Sequence, residues 1–321
     1  MNTIPSISST CDVPYTVVWE KKYDNADRSP HVTILLLNRG GKFHKEELLT
    51  DLSTYKFAEI IYIEGPDISY EIDPLLKKFP RVKFILLKGN ISTGEKINLG
   101  ISESGSVFTF VLWSNMKLAQ SSFTRDIMED MGKKSHLCIV PFILNSKHEP
   151  VPTIQVPGYM KGNVKVMPWH GIKDSCKSLF PFDYCGIYHK ERFMNLGGFD
   201  PEIANPYWQK IDFGFRAFLW GEEIQLSKNV HIHYIGDVHS EDVTPDEHYK
   251  RFYLKNIYVK FKNGSGYIPY YKFLHYLFHS DTGPFTSWKE FNQVKQWVHA
   301  QSGCFKNNAQ NLIAQWEVPE E

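Results

Sequence analysis

Apolar residues in the first third of the chain fall into short runs, separated by segments whose apolar positions have helical spacing. The run that begins at His31, His-Val-Thr-Ile-Leu-Leu-Leu37, is rich in β-formers and ends in Asn38-Arg-Gly-Gly41. It predicts a buried strand that runs into a loop. The alternation then repeats. A helix is expected over 44–55, a strand over Glu59–Ile63 closed by Glu64-Gly-Pro-Asp67, and a helix over 71–79. A strand over Val82–Leu87, a helix over Thr93–Ser104 and a strand over Val107–Trp113 follow. Residues 1–30 form a polar, turn-rich N-terminal arm in which Thr16–Glu20 adds one edge strand.

Parallel strands need helical crossovers, so this alternation predicts an α/β fold with a mostly parallel, Rossmann-like sheet flanked by helices. In such sheets ligands bind beyond the carboxyl ends of the strands. The candidate segments are therefore Asn38–Gly41, Glu64–Asp67, Lys88–Lys96 and Trp113–Lys117.

The second half is less regular. A helix is expected over 123–132, a strand over Cys138–Leu144, hairpins and loops over 145–182, and a strand over Tyr184–His189. A helix over Asn205–Trp220 is capped by Asn205, opened by Pro206 and stopped by Gly221. The stretch 246–262 interleaves basic and aromatic residues and reads as a helix that packs its aromatic stripe or touches lipid headgroups. The rest reads as helical, so 31–245 forms the α/β domain and 246–321 a helical C-terminal extension.

Composition narrows the function classes. The 36 basic and 36 acidic side chains cancel, so no broad basic field argues for nucleic acid. Five cysteines, Cys11, Cys138, Cys176, Cys185 and Cys304, are widely spaced without a CxxC pair. That argues against a disulfide framework or a structural zinc site. No basic segment followed by an apolar run opens the chain, and Val32–Leu37 and Phe108–Trp113 fall far short of the roughly 20 residues that span a bilayer. A cytoplasmic location is expected, with peripheral membrane contact left open.

Four stretches together resemble the family 2 glycosyltransferases, inverting enzymes of the GT-A fold, over roughly residues 31–262. They are Val32–Arg39, Ile60–Pro66, Gly94-Glu-Lys-Ile-Asn-Leu-Gly-Ile101, and Gly197-Gly-Phe-Asp200 followed by Asp212, Arg216 and Gly221. The resemblance implies a UDP- or GDP-sugar donor and a saccharide, lipid-linked or protein hydroxyl acceptor, in the manner of a hexosyltransferase of polysaccharide biosynthesis. Asn38, Arg39, Glu64, Lys96, Asn98, Ser114 and Asn115 would face the nucleotide. Gly197, Gly198, Phe199, Trp208 and Arg216 would face the acceptor. Lys96 and Asn98 also lie near a helix start, where N–H groups favour anions; Glu64 could instead cap a turn, and Trp208 could be core.

Two motifs depart from the family. Where Asp-x-Asp usually holds Mn or Mg, the chain has Trp113-Ser-Asn115. Asn115 and a late histidine, His233 among His231, His233 and His239, are the remaining ligand candidates, with at most one of His231 and His233 reaching the site; a core or surface role for the histidines is the alternative. The metal is then weakly held or not required, and Lys96, helix dipoles or arginine would meet the diphosphate. Where the family places an acidic pair that contains the base, the chain has Gln209-Lys210. That leaves Asp212, beside Gln209, as the expected base, although Arg216 one turn away can pair with it. A catalytically silent module that binds nucleotide sugar or glycan is the alternative. A nucleotidyltransferase ranks third, because its chemistry leans on carboxylate-held metal.

Overall fold

The computed structural model describes residues 13–19, 32–39, 45–55, 57–67, 71–119, 136–160, 163–171, 173–279 and 283–318. The helix expected over 123–132, Cys11 and the Gly40-Gly41 end of the first loop lie outside the described residues. The chain opens on β1 (Tyr15–Val18), then alternates through β2 (Val32–Leu37), α1 (Lys45–Ser53), β3 (Glu59–Glu64), α2 (Asp73–Lys78), β4 (Val82–Leu87), α3 (Thr93–Glu103) and β5 (Phe108–Trp113). Next come β6 (Met116–Leu118), β7 (Cys138–Leu144), the hairpin of β8 (Ile154–Met160) and β9 (Asn163–Trp169), and β10 (Gly186–His189). After these come α4 (Lys190–Leu196), α5 (Pro206–Leu219) and β11 (Ile224–Tyr234). Beyond them α6 (Glu247–Phe252) runs into a π turn at Tyr253–Ile257, followed by β12 (Lys260–Lys262), β13 (Ser265–Tyr267), α7 (Lys272–His279), α8 (Pro284–Ala300) and α9 (Ala309–Ala314).

Among the described residues a nine-stranded sheet has the order β1-β4-β3-β2-β5-β10-β7-β11-β6. Its heart, β4-β3-β2-β5, is parallel. β1 lies antiparallel on β4, as an edge strand, and β10 runs antiparallel to β5 and β7. All six β2 residues are buried, as a strand covered on both faces requires. Val32, Ile34 and Leu36 meet Leu48, Leu49 and Leu52 of α1, while Leu35 and Leu37 share the other core with Ile97 and Ile101 of α3 and with α5. Alternate side chains thus feed two cores.

Asn205 accepts hydrogen bonds from the Tyr207 and Trp208 amides, Pro206 is the first residue of α5, and Gly221 follows the helix at φ 85°, as expected for that helix. The 246–262 expectation needs correction. The helix gives way to the π turn, Tyr258 N–H bonding the Tyr253 carbonyl at 2.9 Å, and Lys260–Lys262 is already a strand. Asn263 and Gly264 both have positive φ, at 53° and 73°, the geometry of a two-residue hairpin turn. The C-terminal extension is therefore helical with one short hairpin. Its core takes in Leu219 of α5 together with Leu254, Val259 and Val298. Of the aromatic stripe, Phe252 is fully buried, while Tyr249 and Tyr253 are only partly buried. Cys138, Cys176, Cys185 and Cys304 are free thiols. Among the described residues no helix is long and apolar enough to cross a membrane.

Candidate functional site

Because β3, β2 and β5 are neighbours, their carboxyl ends bring Glu64, Asn38, Arg39, Ser114 and Asn115 side by side. Glu64 is buried and accepts from Asn38 Nδ2 at 3.1 Å and from Lys45 Nζ at 2.7 Å. Lys96 on α3 lies within its field. Burial lowers the Lys96 ammonium from its ordinary value, and Glu64 opposes that shift. Ser114 ties the strand ends together, since its N–H bonds the Leu37 carbonyl at 2.9 Å and its Oγ accepts from the Arg39 amide at 3.2 Å.

Next to them stands a cluster centred on Asp183. Arg39 Nη2 contacts Asp183 Oδ1 at 2.5 Å, Tyr234 Oη donates to Asp183 Oδ2 at 2.5 Å, and Trp113 Nε1 donates to the Asp183 carbonyl at 2.8 Å. The Arg39 guanidinium lies 3.9 Å from the centre of the Trp113 ring, a cation–π contact. Asp183 and Tyr184 both have left-handed backbones, φ 51° and 59°, which is uncommon for aspartate and strained for tyrosine. Hydrogen bonds from Tyr184 Oη to the Pro206 carbonyl at 3.0 Å and from Tyr188 Oη to the Tyr184 carbonyl at 2.8 Å hold that turn. Arg39 Nη1 and Asn115 Oδ1 are buried without a hydrogen-bond partner among the described residues. Such orphaned polar atoms in a well-paired protein point to a ligand or ordered water.

No motif or spacing pointed to Asp183, which sits 144 positions from Arg39, between the loops expected up to 182 and the strand expected from Tyr184. A left-handed aspartate held by a distant arginine leaves no local spacing signature.

The metal ligand set does not fit a divalent cation. Trp113 presents an indole, Asn115 an amide, and the neighbouring carboxylate, Asp183, is already engaged by Arg39 and Tyr234. Among the described residues no group of three or more His, Cys, Asp or Glu side chains is arranged to hold a metal ion. His231 and His233, two apart on β11, share one face of the strand. His231 packs against Phe142 and His233 against His148, while the alternate residue Tyr234 points to Asp183. The histidine near the cluster is His239. It reaches solvent, and partial burial lowers its pKa. Arg39 and Lys210 reinforce that shift, and Asp183 and Glu241 oppose it.

The expected helix-dipole site at α3 is already occupied by the protein itself. Ser92 and Glu95 form a capping box, and the Gly94 N–H donates to Gln209 Oε1 at 3.0 Å. A Cβ on Gly94 would stand 2.3 Å from that oxygen, so the approach requires glycine. Gln209 is fully buried and also accepts from Tyr184 Oη at 2.8 Å, while its Nε2 donates to the Asp200 carbonyl at 3.0 Å and to Ser92 Oγ at 3.3 Å. An ionised carboxylate at this position could accept but could not donate. Asn98 does not face the strand ends. It clamps the Phe199 backbone with bonds of 2.8 and 2.9 Å.

Asp212 has no exposed surface. Arg216 Nη2 at 2.9 Å, Asn256 Nδ2 at 2.8 Å and Lys255 Nζ at 3.3 Å surround it. Arg216 also bonds the Leu196 and Gly198 carbonyls at 2.6 and 2.7 Å, fixing the turn in which Gly197 and Gly198 take φ 88° and 61°. Phe199 and Trp208 are core residues, and Trp208 Nε1 donates to the Thr244 carbonyl at 3.0 Å. Burial alone would raise the Asp200 carboxyl, but Lys255 at 2.6 Å and Arg251 at 3.1 Å outweigh it and hold the group well below the usual carboxylate range. Lys210, in the other half of the lost acidic pair, is buried against Glu241, its Nζ 4.8 Å from the Tyr184 ring centre. The residues expected to form one transfer site therefore divide into a group at the strand ends and a group within the packing of α3, α5 and the π turn.

No family model matches the chain, and no curated protein matches it. Similar solved structures include GalNAc-T7 with UDP, GalNAc and Mn2+, at a TM-score of 0.55 and 13% identity, over 90% of this chain and 58% of that one. The chain thus spans less than two thirds of that structure. They also include S. aureus TarS 1–349 in complex with UDP-GlcNAc, at 0.50 and 11%, over 89% of this chain and 76% of that one. At these identities the likeness is one of architecture, and the chain has the GT-A fold of glycosyltransferases.

Proposed function

We propose that the protein is a glycosyltransferase that moves a sugar from a UDP- or GDP-sugar to a saccharide, lipid-linked or protein hydroxyl by direct displacement with inversion. The observation that carries this reading is the row of polar groups at the ends of β3, β2 and β5, with Arg39 Nη1 and Asn115 Oδ1 left unpartnered. Glu64 and Asn38 would meet the base and ribose. Arg39 and Lys96 would supply the counter-charge to the departing diphosphate, since a guanidinium suits phosphate geometry and keeps its charge. On this reading the Asp-x-Asp carboxylates are not needed, because Arg39 and Lys96 would supply the positive charge that a metal brings in the family.

Inversion needs a group to take the acceptor proton. The buried, triply engaged Asp212 is poorly placed to do so, and Gln209 has no basic group. His239 is an exposed imidazole that feels the charges of Asp183 and Arg39, and partial burial lowers its pKa toward the neutral, proton-accepting form. We assign it the role of base. The loss of both acidic motifs favours a second reading, a silent module that binds nucleotide sugar without turnover.

The test is calorimetric titration of UDP and GDP, followed by assay of UDP- and GDP-sugars for release of the diphosphate, with manganese or with chelator. Binding together with release supports the enzyme. Binding without release, for every donor and acceptor tried, supports the silent module. Failure of both diphosphates to bind removes the nucleotide site.

A further inference from the structure

A cavity of about 760 Å³ opens between the β8–β9 hairpin tip, α6 with its π turn, and α7. Its volume lies within the range of small-molecule sites, roughly 300–1,000 Å³. One wall is a continuous aromatic row. Tyr249 and Tyr253 have ring centres 4.4 Å apart, Tyr253 and Tyr258 6.2 Å, and Tyr258 and His275 5.5 Å. Tyr159, half exposed at the end of β8, adds a further ring at the rim.

The π turn makes this wall. One extra residue per turn sends Lys255 and Asn256 inward to Asp212 while Tyr253, Ile257 and Tyr258 line the cavity. Such turns are rare and occur frequently at functional sites.

The charge of the cavity is unbalanced. Lys250, Lys260 and Lys272 all line it; Lys250 already has an interaction partner within the protein, whereas neither Lys260 nor Lys272 forms an ion pair with a described carboxylate. Lys272 Nζ lies 4.9 Å from the Tyr258 ring centre. Burial lowers the Lys272 ammonium from its ordinary value, and the like charge of Lys260 lowers it further. Among the described residues the carboxylate that lines the cavity, Asp246, is spent. It accepts from the His248 and Tyr249 amides at 2.9 and 3.2 Å and from Asn205 Nδ2 at 2.8 Å. Two mutually repelling ammonium groups beside flat, hydroxyl-edged rings complement one ligand chemistry: an apolar sugar face for the tyrosines and an anionic substituent for the lysines.

We propose that this cavity is a second ligand site, separate from the strand ends, that binds a saccharide carrying a carboxylate or phosphate group. The site does not depend on the transferase reading, and its test uses no donor nucleotide. Trigalacturonate, mannose 6-phosphate and neutral maltotriose are titrated calorimetrically into the full chain. The expected result is that at least one charged probe binds about tenfold or more tighter than maltotriose, the scale of a charge-assisted contact. Which charged probe prevails distinguishes carboxylate from phosphate. The double variant Lys260→Gln with Lys272→Gln removes that preference, and Tyr159→Ala weakens the charged probe while leaving the fold intact. Equal binding of charged and neutral probes, binding of none, or a preference that survives the double lysine variant overturns the proposal.

Discussion

The most informative single residues are Gln209 and His239. Gln209 stands where the family resemblance calls for an acid, and its burial explains the amide. It accepts from Gly94 and Tyr184 and donates to the Asp200 carbonyl. Gln209→Glu turns that donation into repulsion between a carboxylate and a carbonyl oxygen in a buried setting. The expected cost is about 1–3 kcal/mol of stability, read from the denaturant midpoint at neutral pH. An unchanged midpoint contradicts this reading of the clamp. His239 leads to a kinetic expectation. A base acts in its neutral form, so transfer should fall as pH drops through the His239 pKa, which lies below the ordinary histidine value of 6.5. His239→Asn should abolish that acidic limb and lower the rate by at least about 100-fold, while UDP affinity stays within a few-fold. A variant that keeps the wild-type pH profile assigns the proton to another group.

At the scale of elements, α5 and the π turn are locked by a buried charge network: Asp212 with Arg216, Lys255 and Asn256, and Asp200 with Lys255 and Arg251. Breaking a buried pair strands its partner. Asp212→Asn should therefore cost about 3–5 kcal/mol, and binding and any transfer should fall together with thermal stability. Loss of transfer at wild-type stability would return the base to Asp212. Asp200 adds a pH dependence of known sign. Its folded pKa is depressed below the unfolded carboxylate value, about 3.9. Its contribution to stability is thus fully present above that value and erodes as pH falls toward the folded one. The stability gap between wild type and Asp200→Asn should be wide at neutral pH and should begin to shrink only as pH falls below about 4; a gap that stays constant as pH falls further contradicts the ion pairing of Asp200. These same elements mark the limit of what the chain betrayed. The parallel strands were legible because β2 through β5 are short apolar runs with helices between them, and α5 because Asn205, Pro206 and Gly221 bracket it. The π turn was not, since Tyr249 to Lys262 keeps a helical rhythm through the change of pitch. Asn263-Gly264 did carry a hairpin signal, which the helical rhythm before it masked.

For the molecule as a whole, the sheet order sets which residues meet. Putting β3, β2 and β5 side by side gathers Glu64, Asn38, Arg39, Ser114 and Asn115, as their positions after strands imply. Asn98, Phe199 and Trp208 share motifs with the site in sequence but face inward, because a motif records order along a helix and not which side meets the core. In the proposed transferase, Arg39, held by Asp183 and Trp113 at the strand ends, takes the part of a metal. The decisive measurement is titration of UDP into the wild type and Arg39→Ala, each with manganese and with chelator. Wild-type binding should differ little between the two conditions, and Arg39→Ala should lose about 1.5–3 kcal/mol, the scale of a hydrogen bond to a charged group. Manganese raising wild-type affinity by more than about a hundredfold, roughly 2.7 kcal/mol, with Arg39→Ala binding unchanged, would contradict it.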